Sequence, residues 1–210
     1  MTEHKRFATL TELFEYLCEE AGARVAYEAG ETIYKQGQPD NRVYQVQSGG
    51  IAQSKRNRTG DVMTYQVLHP GDILSTYNLS SNVINQPCSA KALIKSELRQ
   101  VLRASFKQHI RHNPDLLLKI VDLVSEELQS RDRTLERQIY MTAKERIFSI
   151  LQELGKLAKE NRDGKHIDFL TRRELADMAG MTEETATRSL SKLEKEGKIK
   201  KGPRGLVLTD

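Results

Sequence analysis

Apolar residues recur at helical spacing near the start of the chain. Phe7, Leu10, Leu13, Phe14 and Leu17 share one face, and Gly22 ends the run. From Arg24 to about Val101 the pattern changes to short runs of β-branched and aromatic residues cut by turn residues. Gly30, Gly37, Gly49–Gly50, Gly60 and Gly71 recur roughly every ten residues, a spacing that predicts an all-β sandwich or roll. The stretch RTGD reads as a hairpin turn between GIAQSK and VMTYQVL.

Asn113–Pro114 marks a new helix, because proline is tolerated at the first helical position. No Gly or Pro follows from Asp115 to about Tyr140. Leu117, Val121, Val124, Leu128, Arg131, Leu135 and Gln138 alternate in steps of four and three, a coiled-coil seam with two polar positions. At roughly 1.5 Å per residue this helix is about 40 Å long. One side is expected to cover the β region. The seam of Leu117, Val121, Val124, Leu128 and Leu135 is the expected homodimer interface. Thr142–Glu145 is a capping box that starts a fresh helix, with Ile147, Ile150, Leu151, Leu154 and Leu157 on one face. NRDGKHIDF reads as a loop with a short strand.

A second capping box, Thr171–Glu174, opens a short helix that places Leu175, Met178 and Ala179 inward and stops at Gly180. Thr182 caps the next helix, whose inward face is Ala186, Leu190 and Leu193 and which ends at Gly197. KIKKGPRGLVL then reads as strand, turn, strand. Helix, glycine turn, helix and small basic hairpin make a winged helix-turn-helix. The fold class is therefore α+β. The expected domains are a β-roll sensor over 1–112, a dimerisation helix over 113–140 and a DNA-binding domain over 141–210.

Composition adds exclusions. At 38% hydrophobic and 30% charged, the 210-residue chain reads as soluble and globular. No run approaches the roughly 18–20 apolar residues of a membrane span. The first 22 residues carry acids through their apolar part, so no signal peptide is expected and the expected compartment is the cytoplasm. The formal charge of +4 is unevenly placed. Between Arg188 and Arg204 there are seven Lys or Arg against two acids, a net +5 in 17 residues. Such a segment, Lys201 included, attracts an anionic partner. Two cysteines, Cys18 and Cys88, are too few for a structural zinc site or a four-thiolate cluster. His109 and His112 lack further ligands and read as a surface pair. No metal or cofactor is expected. No nucleophile–base pair or phosphate loop is apparent, so the chain is not expected to be an enzyme.

Two acids, Glu183 and Glu184, open the second helix of the motif. Glu184 and Arg188 are four apart and share a face, with Thr187 beside Arg188. An arginine can bond O6 and N7 of guanine, and a carboxylate can accept from N4 of cytosine. The carboxylate thus trades nonspecific attraction for base choice, and the helix dipole favours it there. The surrounding lysines supply salt-dependent attraction to phosphates.

The order of β-roll, seam helix and winged helix-turn-helix resembles the cyclic-AMP receptor protein/fumarate-nitrate regulator (CRP/FNR) superfamily of bacterial transcription factors. EAGETIYKQGQPDNRVYQVQSGGI, HPGDIL and above all LTRRELADMAGMTEETATRSLSKLEKEGKI carry the resemblance, which covers nearly the full length. It implies that Glu184 and Arg188 read a G·C region in each half of an inverted repeat. It also implies that Arg172, Arg173, Thr182 and Thr185 touch phosphates. The fumarate-nitrate branch usually has Ser where this chain has Thr187, whose methyl can meet a thymine methyl, as in a TTGA-like half-site.

The cyclic-nucleotide branch needs a Gly-Glu pair for the ribose and an Arg-Ser/Thr-Ala triplet for the phosphate. Here no Glu follows Leu74, and Pro87-Cys88 precedes Ser89-Ala90 where the arginine would stand. The resemblance therefore points to the branch that does not bind cyclic nucleotides. Two controls stay open: an unidentified small effector near Tyr77, Asn78, Cys88 and Ser89, or thiol redox through Cys18 and Cys88. A regulator controlled by its own abundance is a third reading, and a sensor module acting through protein partners is the rival. The expected partners are double-stranded palindromic DNA, a second copy of the chain and RNA polymerase, which the basic hairpin Lys55–Arg58 could contact.

Overall fold

The computed structural model describes residues 7–76, 79, 85–161, 164–202 and 205–209. Helix α1 (Leu10–Ala21) opens behind Thr9, whose side chain accepts from the Glu12 amide, and it buries Leu10, Leu13, Phe14 and Leu17. Among the described residues eight strands follow: β1 (Ala23–Tyr27), β2 (Thr32–Tyr34), β3 (Arg42–Ser48), β4 (Ile51–Arg56), β5 (Val62–Leu68), β6 (Ile73–Leu74), β7 (Ser89–Ala92) and β8 (Ser96–Leu102). One antiparallel sheet has the order β1-β8-β3-β6, with Val25 opposite Leu98 and Tyr44 opposite Gln100. A second takes β2, β7 and β4 in that order, with Gln53 opposite Ala90. Strand β4 turns into β5 at the expected hairpin, where Asn57 Oδ1 accepts from the amides of Thr59 and Asp61, both at 2.9 Å. The recurring glycines mark real turns. At Gly49 the constraint is tightest, because φ is 90° and a Cβ would lie 2.2 Å from Ser96 Oγ.

Helix α2 (Arg103–Arg111) is not announced by the sequence. Its N-cap is Leu102, which makes no side-chain capping bond, and its apolar signal is only Phe106 and Ile110. Both are buried with Phe7, Leu13, Phe14, Val43, Val101 and Leu116 in the core that α1 and the first sheet share. His109 and His112 each place Nδ1 against a carbonyl of α2, Ser105 O at 2.9 Å and Gln108 O at 2.8 Å. No group of three metal-ligating side chains occurs among the described residues.

Helix α3 (Pro114–Tyr140) runs unbroken for 27 residues. Leu116, Ile120 and Leu123 pack against the core cluster. Leu117, Val121, Val124, Leu128 and Leu135 stay between 41% and 56% exposed in the single chain. Among the described residues, no helix is long and apolar enough to cross a membrane.

The chain divides into two compact units. One holds the residues up to Lys55 with Leu68–Ser130, and the other holds Arg56–Val67 with the residues from Arg131 onward. The division thus falls inside α3, and the arm of the hairpin groups with the C-terminal part. That unit contains α4 (Ala143–Leu154), β9 (Lys159–Asn161), β10 (Gly164–Ile167), α5 (Arg172–Ala179), α6 (Glu183–Lys195), β11 (Ile199–Lys201) and β12 (Leu206–Leu208). Helix α4 stops at Leu154, a turn short of Leu157, because Gly155 takes the C-cap. Both expected capping boxes are formed, at Thr142/Glu145 and Thr171/Glu174. The strands make an antiparallel sheet of order β11-β12-β10-β9, with Ile199 and Lys165 flanking Leu208. Ile147, Leu151, Leu154, Ile167, Leu175, Ala186, Leu190, Leu193 and Ile199 are all buried. The architecture is α+β: a β-roll, a long helix and a winged helix-turn-helix.

Candidate nucleic-acid interface

The direction of α6 is set by the turn before it. Gly180 sits at φ 60°, ψ 48°, the left-handed conformation that ends α5, and its amide bonds the Ala176 carbonyl. Met181 N bonds the same oxygen at 3.1 Å. Thr182 then caps α6. Its hydroxyl accepts from the Thr185 amide at 3.3 Å and lies 2.9 Å from the Thr185 hydroxyl. Ala186, Ser189, Leu190 and Leu193 form the buried side of α6. That leaves Glu183, Glu184, Arg188, Lys192 and Lys195 exposed.

Glu184 and Arg188 form an ion pair across one turn, with side chains 74% and 73% exposed. An exposed pair of this kind contributes about 0.3–0.5 kcal/mol, so its value for folding is small. Its geometric effect is larger, since the carboxylate holds the guanidinium along the first two turns of the helix. Thr187 is half-buried beside it. Arg172 and Arg173 lie exposed at the start of α5, and Arg173 Nε pairs with Asp177 at 3.2 Å. Burial pushes the Asp177 carboxyl up, while the Arg173 charge pulls it back down. Lys201 on β11 pairs with Glu194 on α6, which ties the wing strand to the helix. Thus α5, α6 and β11 carry Arg172, Arg173, Thr182, Glu184, Thr185, Thr187, Arg188 and Lys201 within one unit.

Two polar positions of the seam turn away from it. The Arg131 guanidinium stacks over the Tyr65 ring at 5.3 Å, and the Gln138 amide reaches α5.

Several polar side chains of the roll are hydrogen-bonded to one another. Gln53 donates to the Tyr34 hydroxyl at 2.8 Å, and the rings of Tyr34 and Tyr44 lie 5.9 Å apart. Tyr44 donates to Asp40 at 2.7 Å, and Gln86 donates to Ser75 Oγ at 2.8 Å. Burial first, then the bond to Asp40, pushes the Tyr44 hydroxyl well up, so it stays protonated. Cys88 is fully buried at the start of β7, and Ser89 Oγ accepts from the Gln36 amide at 3.0 Å. Cys18 donates to the Ala23 carbonyl at 3.3 Å. Burial pushes its thiol up, against the pull of Arg99 and the Gln100 carbonyl contact. No disulfide joins the two cysteines. Tyr77 and Asn78 lie outside the described residues.

Comparison with protein families matches this architecture in order along the chain. The cyclic nucleotide-binding domain family matches residues 24–113, and the Crp-like helix-turn-helix domain family matches residues 145–210. The chain belongs to the CRP/FNR superfamily. Among relatives of this CRP/FNR chain is the cyclic AMP receptor protein of Thermus thermophilus, 28% identical over 181 residues, covering 86% of this chain and 81% of that one. FixK2 of Bradyrhizobium japonicum superposes with a TM-score of 0.75 at 25% identity, covering 90% and 93% of the two chains. The c-di-GMP responsive regulator CLP of Xanthomonas campestris superposes at 0.80 over 95% and 99%; at 20% identity that likeness shows the fold alone. As a CRP/FNR member, the chain is a transcription regulator with a helix-turn-helix DNA-binding domain and a cyclic-nucleotide-binding-like domain. Two features of the CRP/FNR interface have no local sequence signal. The Glu194–Lys201 pair spans a helix end, and the Lys144–Glu196 pair, at 2.5 Å, joins α4 to the end of α6.

Proposed function

We propose that this CRP/FNR regulator acts as a homodimer on an inverted-repeat DNA site, which it reads with Glu184, Thr187 and Arg188. The observation that carries the reading is the exposed Glu184–Arg188 pair on the first two turns of a helix that follows a left-handed glycine turn. The first turns of a recognition helix enter the major groove. There Arg188 donates to guanine O6 and N7, and Glu184 accepts from cytosine N4. Arg172, Arg173, Thr182, Thr185 and Lys201 supply phosphate contacts that place the helix and carry the salt dependence. The exposed seam of α3 supports pairing with a second copy, since one chain leaves five apolar side chains on one stripe in water. Two recognition helices would then stand about 34 Å apart, one turn of DNA. RNA polymerase is the further partner, and the compartment is the cytoplasm.

The signal that controls it is not a cyclic nucleotide. A buried phosphodiester needs a cation. Cys88, fully buried and not a cation, stands where the resemblance places that arginine. Elsewhere in the roll Gln53 pairs with Tyr34, and Gln86 with Ser75, through hydrogen bonds between neutral groups. Thiol control is disfavoured by the full burial of Cys88 and by the raised thiol of Cys18, each of which slows thiolate chemistry.

A DNA-site selection with purified protein, run in reducing and oxidising buffer, tests this. A palindromic motif in both conditions is expected. A motif in one condition alone would move control to Cys18 and Cys88, and none in either would count against unaided operator binding. Glu184→Ala run through the same selection should return a motif degenerate at the cytosine position, with nonspecific affinity unchanged or higher. Recovery of the wild-type motif would remove Glu184 from base reading.

A further inference from the structure

Gln138 occupies a seam position of α3, yet its side chain is used inside the C-terminal unit. Nε2 donates to the Ala179 carbonyl at 3.2 Å, in the last turn of α5, where carbonyls lack partners within the helix. Oε1 accepts from Arg146 on α4. A Cβ built on Gly180 would lie 2.7 Å from Gln138 Nε2 and 3.0 Å from Oε1. The amide therefore rests flat on the glycine of the helix-turn-helix. One residue earlier, Arg137 pairs with Glu153 of α4 at 2.7 Å and donates to Thr134 Oγ1 at 3.1 Å. The last turn of α3 is thus fastened to α4 by Arg137 and to the turn before the recognition helix by Gln138.

The turn needs such a fastening. Glycine tolerates a wide range of φ and ψ, so covalent geometry alone leaves the exit angle of α6 loose. Arg188 lies eight residues beyond Gly180, roughly 12 Å along a helix at 1.5 Å per residue. A tilt of about 10° at the turn displaces Arg188 by roughly 2 Å. Hydrogen bonds to a base edge keep their strength only within a few tenths of an ångström of about 2.9 Å. Backbone bonds to Ala176 O hold the start of the turn. Gln138 holds Ala179, and its amide lies where a Cβ at Gly180 would go.

We propose that Gln138 is a positioning residue for the recognition helix: its amide, braced by Arg146, fixes the angle at which α6 is presented to DNA. This rests on the reading of Glu184 and Arg188 given above. It predicts that Gln138 governs the ratio of specific to nonspecific affinity, an effect separate from the modest stability its two bonds contribute.

The test uses the full-length protein and two variants of similar volume. Gln138→Glu keeps an acceptor for Arg146 but has no N–H for Ala179. Gln138→Met removes both bonds. Each is compared with wild type for affinity to the selected operator, affinity to random DNA at the same salt, and thermal midpoint. Both variants should lose roughly 3–10-fold in operator affinity per half-site, about the weight of one lost hydrogen bond. Random-DNA affinity should stay near wild type, and the thermal midpoint should fall by no more than the few degrees that one or two lost intramolecular hydrogen bonds cost. A fall shared equally by operator and random DNA, or no fall in either variant, overturns the proposal. Gly180→Ala gives an independent arm. In the wild-type background the new methyl both strains the turn and displaces the amide; in the Gln138→Met background only the strain remains. The two losses should therefore be less than additive, and full additivity counts against the contact. Arg188→Ala is run alongside. If it abolishes specificity while neither Gln138 variant lowers it, only the positioning role fails. If it leaves specificity intact, the DNA reading fails and the positioning role with it.

Discussion

Arg188→Ala should abolish operator discrimination while leaving the protein folded, dimeric and able to bind random DNA. A bidentate arginine–guanine contact is worth about 1–3 kcal/mol of discrimination, and a dimer makes two, so the expected loss is about 2–6 kcal/mol. That is roughly 30-fold at the low end and more than 10⁴-fold at the high end. The side chain is 73% exposed and its ion partner Glu184 equally so, and neither belongs to the buried face of α6. Folding should therefore shift by less than about 0.5 kcal/mol. Removal of Arg188 also leaves the Glu184 carboxylate facing the DNA without its cation, which deepens the loss on specific sites. Competition binding against random DNA at two salt concentrations reads both terms. Operator affinity should fall far more than the salt slope changes, since the phosphate-binding cations remain. Unchanged operator affinity would place the recognition surface elsewhere.

Leu128→Asp should convert the dimer into a folded monomer. Leu128 is 56% exposed in the single chain, in the middle of a stripe with Val121, Val124 and Leu135. In a dimer that stripe is buried, and each Leu128 contributes about 1.5–3 kcal/mol. An aspartate loses this contribution in both chains and places two carboxylates at the seam, where desolvation and like charge add to the penalty. The dimer dissociation constant should rise by at least about two orders of magnitude. The monomer fold should be spared, because Leu116, Ile120 and Leu123, not Leu128, face the core. Light scattering across a concentration series, with circular dichroism as a control, separates the two effects. Affinity for a palindromic operator should fall with dimerisation. Affinity for an isolated half-site should be nearly unchanged. A dimer that persists would move the interface off this stripe.

These expectations draw on parts of the molecule that differ in how visible they are in sequence. Thr142/Glu145 and Thr171/Glu174 are legible because a capping box closes within four residues. Gly180 is legible because a left-handed helix end is a property of one residue and its neighbours. The Glu184–Arg188 pair follows from helical spacing alone. Helix α2 was missed for the complementary reason. It has no capping side chain, its apolar face is two residues, and its stability comes from packing against α1 and the first sheet.

The seam shows where local reasoning stops. Periodicity places Leu117 through Leu135 on one stripe and puts Arg131 and Gln138 on the same stripe. Tertiary packing divides them: the apolar members stay exposed, while Arg131 goes to Tyr65 and Gln138 to Ala179 and Arg146. A seven-residue pattern fixes the direction of a Cβ but not the partner found by a long polar side chain. Likewise, sequence gives two cysteines and a missing arginine in the roll. The burial of Cys88, the raised thiol of Cys18 and the hydrogen bonds of Tyr34, Gln53, Tyr44 and Asp40 depend on segments far apart in the chain. The amino-acid order by itself determined the capped helices, the glycine turn and the pair on α6, all set by interactions within about four residues. Only the tertiary structure decided which side chains are buried, charged or committed, because burial and hydrogen-bond partnership are properties of what the chain brings together across long separations.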